Sequence, residues 1–394
     1  MIFSPYSLPV LGLAAALGAL MGAVIAHTRY CTLGAVADWV SFGDGRRFRM
    51  WLLAAGTALA GCAVLEAAGW LDPADTRMPY ASALFAWPRY LAGGLIFGVG
   101  VVLSGGCASR ILVRTGLGSG KALVTLAAAT IAAWLMTETT LYGNTLHRWL
   151  SPWYVDLRLH GLDSQRLSGA SKTLAPVLAG AIAAALLGAA LASPRFRAAG
   201  RYLFGGVAMG LLVTGGWALT AGPLGSRWIE EALFMDAVPR GIGAQSFTFV
   251  GPLGETLEFG LSAGGLAVTF GMAAVAGVMA GSFIYGLTTG QLRWEGYRGG
   301  GELLRNIAGG ALLGVGGVLA LGCTVGQGLT GISTLSAGSL LATLSTLAAM
   351  ALTIRTEYYR LVSDGTASWP ACLGSALADF RLLPGAWRSL VKPD

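Results

Sequence analysis

GGLIFGVGVVLSGGCASR, from Gly93 to Arg110, and GGALLGVGGVLALGCTVG, from Gly309 to Gly326, are two versions of one sentence, 216 positions apart. From Gly93 to Cys107, nine of fifteen positions match their counterparts. Each copy runs a glycine-rich apolar helix into a Gly-Cys pair, where the helix breaks. Many membrane transporters are built from two repeats that meet at the bilayer midplane, with broken helices at the substrate site. A cysteine that merely packs has no reason to recur at the same point of both copies.

The rest of the chain has the composition of a polytopic membrane protein. Of 394 residues, 55% are hydrophobic and 11% charged, against roughly 25% charged in soluble domains. The mean hydropathy is +0.66. Sixty glycines let neighbouring helix backbones approach closely. The opening MIFSPYSLPV has no basic segment, so no cleaved signal peptide is expected before the first span. Five cysteines without a CxxC pair or ligand-like spacing argue against a disulfide scaffold and a zinc site, and with only three histidines and no evident haem or quinone ligands no cofactor is expected. The net charge of +7 matters through its placement and calls for no nucleic-acid partner.

Apolar runs of spanning length, ~17–25 residues, fall at about 8–28, 50–70, 172–192, 262–288 and 336–354. Shorter or interrupted ones fall at 89–105, 119–141, 200–218 and 302–322. The expected fold is therefore all-α, with about nine transmembrane helices. Short apolar segments after Tyr30, Gly106, Gly216 and Gly322 read as re-entrant or broken helices, tolerated where protein or a cavity covers them. Nine spans put seventeen basic residues on one side, among them Arg46, Arg110, Arg114, Lys121, Arg298, Arg305, Arg388 and Lys392, and eight on the other, including Arg77, Arg166, Lys172 and Arg240. That bias places the C-terminus in the cytoplasm and the N-terminus outside. The two Gly-Cys helices are then the third and eighth spans and cross in opposite directions, an inverted pseudo-twofold repeat. A first half covers 1–141, a linker with a connecting span 142–199, a second half 200–356, and a cytoplasmic tail 357–394. A weaker echo aligns MGAVIAHTRYCTLGA (21–35) with MGLLVTGGWALTAGP (209–223), setting Leu219 or Ala218 opposite Cys31. The loop at 220–260 reads as a small structured cap on the outer side.

Cys31, Cys107 and Cys323 each follow a span and open a short apolar segment, so each is expected at a helix N-terminus. Unpaired N–H groups and the helix dipole favour anions there, and a thiol in that setting donates or ionises more readily. Cys62 and Cys372 sit in ordinary apolar context and read as packing. Arg29, Arg110 and Arg114 flank the first two cysteines. They read either as an electropositive mouth for an anion or as side chains snorkelling to the interface. His27 is one helical turn before Cys31 and serves either an anion or proton or simply the end of its helix. Gln327 offers a neutral donor beyond Cys323, and Thr324 and Thr330 are candidate caps. The tryptophans, Trp51, Trp70, Trp87, Trp149 and Trp153 among them, read as an interfacial belt.

TRYCTLGA (28–35), GGLIFGVGVVLSGGCASR and GGALLGVGGVLALGCTVGQGLTG (309–331) together resemble the YeeE/YedE family of bacterial inner-membrane sulfur-transport proteins. The resemblance extends from about Gly12 to Ser345. It implies an hourglass of nine spans and several partial helices, in which three thiols line a narrow path between two positive hollows. By motif those thiols are Cys31, Cys107 and Cys323. The implied activity is uptake of thiosulfate through transient S–H···S contacts, without lasting chemistry. Some relatives work with a TusA-like sulfurtransferase at the cytoplasmic exit; none is read as fused here, so a separate one is the partner implied.

Overall fold

The computed structural model describes residues 6–169, 174–234, 240–263, 265–297, 299–364, 366–384 and 387; Lys172, Arg298, Arg388 and Lys392 lie outside them. The spans are α1 (Ser7–Thr28), α3 (Arg46–Ala67), α4 (Trp87–Ser104), α6 (Gly120–Thr137), α7 (Leu174–Leu191), α8 (Gly200–Ala221), α11 (Phe270–Thr289), α12 (Gly300–Leu319) and α13 (Ala337–Val362). Eight segments are long and apolar enough to cross a membrane, and α7 adds a shorter apolar helix. Between them lie the partial helices α2 (Thr32–Phe42), α5 (Ala108–Gly116), α9 (Pro223–Leu233) and α10 (Val250–Leu261). The chain is an all-α, multi-pass membrane protein; the only described strands are the two-residue pair Leu84–Phe85 with Val155–Asp156.

Glycine decides how these helices meet. At the crossing of α4 and α12, Gly93 faces Ala320, Gly316 faces Phe97, Gly100 faces Leu313 and Gly309 faces Ser104. The numbers rise on one helix as they fall on the other, so the two copies of the repeat cross antiparallel. The contact is also self-complementary: Gly93 meets the copy of Ser104, and the copy of Gly93 meets Ser104 itself. A Cβ on Gly309 would stand 2.6 Å from the Ser104 nitrogen, closer than packed atoms allow. The second contacts exchange in the same way. Gly94 and Gly98 of α4 lie on Ala342, Thr346 and Ala349 of α13, while Gly310 and Gly314 of α12 lie on Thr125, Ala128 and Ala132 of α6. By contrast α1 and α11 run parallel, Gly18 beside Ala274 and Gly22 beside Val278, as do α8 and α3, with Gly206 beside Leu53 and Gly210 beside Thr57. These directions agree with nine alternating crossings and an inverted repeat.

Two details differ from the expectation. The helix from Gly200 does not break after Gly216; it continues to Ala221 and stops where Pro223 opens α9. Gly216 stays helical because nothing there removes a backbone donor: its carbonyl accepts from the Thr220 hydroxyl at 3.1 Å. Leu219 and Ala218 therefore lie in unbroken helix and are not the counterparts of Cys31. Packing identifies the counterpart instead. Helix α2 lies on α3 and α13, and α10 lies on their partners in the other half, α11 and α6. The residue before α10 is Phe249, so an aromatic ring takes the place of a fourth thiol. The segment from α9 to Phe249 is inserted ahead of it. At the C-terminus α13 runs on to Val362, and α14 (Trp369–Asp379) folds back on it through Asp379, which takes hydrogen bonds from Arg355 at 2.6 Å and Tyr359 at 2.9 Å.

Candidate functional site

One backbone device occurs three times. Two residues before each cysteine the chain is left-handed: Arg29 (φ 56), Gly105 (φ 70) and Leu321 (φ 57). Arg29 and Leu321 adopt this conformation with a side chain present, a strained choice that costs about 1–3 kcal/mol. The turn swings the next segment back across the end of its span. Cys31 and Cys107 then stand in extended conformation as the N-cap residues of α2 and α5. In all three cases the N–H three residues on, from Gly34, Arg110 or Gly326, lies beside the sulfur. At Cys323 it donates across 3.4 Å. At α2 and α5 a sulfur thus occupies the place where serine or aspartate ordinarily caps a helix, facing the positive end of the dipole.

These caps converge. The Cys31 and Cys107 thiols lie beside one another, and Cys107 is 3.3 Å from the Ser109 hydroxyl. The Thr324 hydroxyl is turned toward Cys107 without a well-formed bond, which links Cys107 to Cys323. All three thiols are free and buried, Cys107 to 1% and Cys323 to 2% exposure. Tyr30 adjoins Cys31 and Cys107, and its own hydroxyl has no partner among the described residues. Beyond Cys323, Tyr80 donates to the Gly326 carbonyl at 3.1 Å. The result is a single buried column, Cys323–Thr324–Cys107–Cys31. Cys62 and Cys372 are buried elsewhere.

The flanking residues separate by role. Arg110 lies beside Cys31 and Cys107, folds over Gly106 and makes no ion pair with a described residue. Arg29 is exposed at the same mouth. Among the described residues neither has an ion-pair partner, so together they set positive charge beside the thiols. Arg114 is engaged, donating to Glu295 at 2.8 Å, and Ser119 donates to the same oxygen at 2.8 Å. His27 is exposed; its Nδ1 is 3.2 Å from the Tyr285 hydroxyl, away from the column. Gln327 is buried, with Nε2 donating to the Ala320 carbonyl at 2.6 Å and Oε1 unpartnered among the described residues.

The hydrogen bond from Arg114, with that from Ser119, holds the Glu295 carboxyl below its usual range. Its folded-state value is depressed, so the stability it adds is present above the ordinary carboxylate range and is lost as pH falls through the folded value. Glu295 thereby ties the 290–297 segment across the α5–α6 corner, helped by the Arg293 N–H on the Leu117 carbonyl at 3.0 Å. A half-exposed pair contributes about 0–1 kcal/mol. Glu295→Gln is therefore expected to speed proteolytic cleavage of this loop about two- to fivefold at neutral pH. The parent should acquire the same sensitivity as pH falls below the ordinary carboxylate range, through the depressed value of Glu295. Equal cleavage rates for parent and variant at pH 7 would dissociate the pair from the loop's order.

Sequence reading missed three residues of this region: Tyr30, Trp51 and Thr343. Trp51 carried an interfacial expectation, yet it is 6% exposed and stacks on Phe48 (5.9 Å), which stacks on Trp39 (5.0 Å). Trp70, Trp149 and Trp153 are exposed, as a belt requires. The signal that separates Trp51 is periodic. It lies four residues before Ala55 and seven before Ala58, on the small-residue face that packs inward.

A model of the sulphur transport family matches residues 27–352, a span that takes in all three cysteines. The thiosulfate transporter TsuA of Escherichia coli (strain K12) is 26% identical over 334 residues, covering 79% of this chain and 84% of that one. Match, motifs and architecture agree, and the chain belongs to the sulphur transport family.

Proposed function

We propose that this chain carries thiosulfate, or a closely related sulfur-containing anion, inward across the bacterial inner membrane along Cys323, Cys107 and Cys31. The N-terminus is then periplasmic and the C-terminus cytoplasmic, as the distribution of basic residues favours. One observation carries the reading: three free thiols, two of them the N-cap residues of α2 and α5 and the third just ahead of the short helical turns that begin at Gly326, converge in one buried column. Thiosulfate is a dianion with one soft terminal sulfur. The helix termini and Arg110 offset its charge, and an S–H group donates to its sulfur without a bond being made or broken. Several weak stations in series let an ion enter and leave, where one tight site would retain it. Arg29 and Arg110 draw the ion to the cytoplasmic mouth, where a TusA-like sulfurtransferase is the fitting acceptor.

The test is uptake of radiolabelled thiosulfate by proteoliposomes holding the purified chain. Saturable uptake above that of protein-free vesicles, inhibited by unlabelled thiosulfate and not by chloride, is the expected result. Uptake equal to protein-free vesicles at every concentration would remove thiosulfate as the cargo.

A further inference from the structure

Beside the column is a cavity lined by Thr32, Trp51, Cys323, Thr324, Gln327 and Thr343, among others. It stands between α3, α13 and the segment that follows Cys323. Its polar lining is unsatisfied to an unusual degree. Of ten buried side-chain atoms without a protein partner among the described residues, four are here: Trp51 Nε1, Thr324 Oγ1, Gln327 Oε1 and Thr343 Oγ1. Trp51 and Thr343 are each 6% exposed, so bulk water does not satisfy them. Buried polar groups nearly always find partners, and a cluster that does not is built for something that comes and goes.

The donor types say what that is. An indole N–H donates and cannot accept, while a threonine hydroxyl does either. Trp51 therefore requires an acceptor, and Thr343 and Thr324 can supply two more donors beside it. The free volume is about 10 Å³, room for about one water-sized group. That suits one oxygen of an ion rather than the whole of it. Cys323 forms the neighbouring wall and presents sulfur. Gln327 Oε1 is an acceptor, its amide held by the Ala320 carbonyl, so ion oxygens are disfavoured on that wall and lie toward Trp51 and Thr343.

We propose that this cavity reads the oxygen end of the transported anion: Trp51 and Thr343 hold a sulfonyl oxygen while the terminal sulfur rests on the Cys323 thiol. The proposal builds on the transport reading above. The thiols then recognise sulfur and the cavity recognises oxygen, so an ion must carry both on one central atom to bind fully. Trp51 and Thr343 are specificity residues for the station at Cys323. No bond is formed or broken.

The experiment pairs thiosulfate uptake in proteoliposomes with thermal protection of the detergent-purified protein by thiosulfate, sulfite and sulfate. Trp51→Phe removes one N–H from a ring that otherwise keeps the stack, and Thr343→Val removes one hydroxyl at constant shape. Each is expected to raise the half-saturating thiosulfate concentration about tenfold or more, the usual loss for a hydrogen bond to a charged group. Thr343→Ser, which keeps the hydroxyl, should restore the parent value. Parental half-saturation in both Trp51→Phe and Thr343→Val, with uptake intact, would overturn the proposal while leaving the transport reading standing: the cavity then holds only a water. If the parent does not carry thiosulfate, the transport reading fails and protection decides the cavity separately. Protection by an oxyanion that Trp51→Phe abolishes supports it, and absence of any Trp51-dependent protection overturns it.

Discussion

Cys107→Ala should abolish uptake of the sulfur anion, by about a hundredfold or more, while the protein still inserts and folds. Cys107 is the centre of the column: it meets Cys31 on one side and the Thr324 hydroxyl beside Cys323 on the other. Removing its sulfur opens a gap in a path too narrow to bridge. A partner lost to a charged group costs about 1.5–3 kcal/mol, and each 1.4 kcal/mol is tenfold, so the upper part of that range reaches about a hundredfold. The structural cost is smaller. One sulfur leaves a small void in a well-packed region, about 1 kcal/mol, and the α5 cap retains the Ser109 hydroxyl close by. Cys62→Ala and Cys372→Ala delete equally buried sulfurs outside the column and should leave uptake unchanged. The measurement is initial uptake rate at matched amounts of folded protein. Full uptake by Cys107→Ala would sink the relay, and equal losses in all three variants would mark a packing effect. Cys107→Ser adds a graded result: it keeps a hydrogen-bonding cap but offers a hard donor to a soft sulfur, and should fall between parent and alanine.

Much of this was legible in the chain because glycine and cysteine mark places where the backbone does something costly. The Gly93–Cys107 and Gly309–Cys323 copies announced an antiparallel pair, and the structure crosses them at those glycines. The three cysteines announced N-termini, and two of them are N-cap residues. What stayed hidden depended on neighbours distant in sequence. Phe249 takes the place opposite Cys31 only because α10 packs as α2 does, and the inserted α9 displaces it from any simple alignment. The break at Gly222 rather than Gly216 follows from Pro223, a local signal outweighed in the reading by a partial match. Trp51 resembled its belt-forming kin because a tryptophan near a helix end is usually interfacial. Only the partners on α13 and after Cys323 turn it inward. Arg114 shows the converse: its nearness to Cys107 in sequence suggested a role toward the anion, and Glu295, 181 positions away, engages it.

The same two-fold makes a prediction about folding that transport does not enter. Gly93 and Gly309 are copies of one position, and each lies against backbone of the opposite helix. A Cβ on Gly93 would stand 2.7 Å from the Leu319 carbonyl carbon, and one on Gly309 would stand 3.0 Å from that of Leu103. Backbone cannot rotate away as a side chain can, so the helices must separate, and separation undoes packing along the whole α4–α12 seam. Overpacking usually costs about 1–3 kcal/mol; with backbone on the receiving side the upper end applies. Gly93→Val and Gly309→Val should therefore each lower the yield of monodisperse protein extracted from membranes severalfold, and by similar factors. Gly12→Val and Gly188→Val, where nothing stands within 4 Å, should yield as the parent does. Helix propensity alone predicts no loss at any of the four, since valine is a better helix former than glycine. A large loss at one of the paired glycines with none at the other would show that the seam is not shared equally. Parental yield at both would mean that the crossing is looser than its geometry states. Matched losses would show that the two copies hold the column open from both sides: the same close approach that sets Cys107 at the end of α4 sets Cys323 at the end of α12.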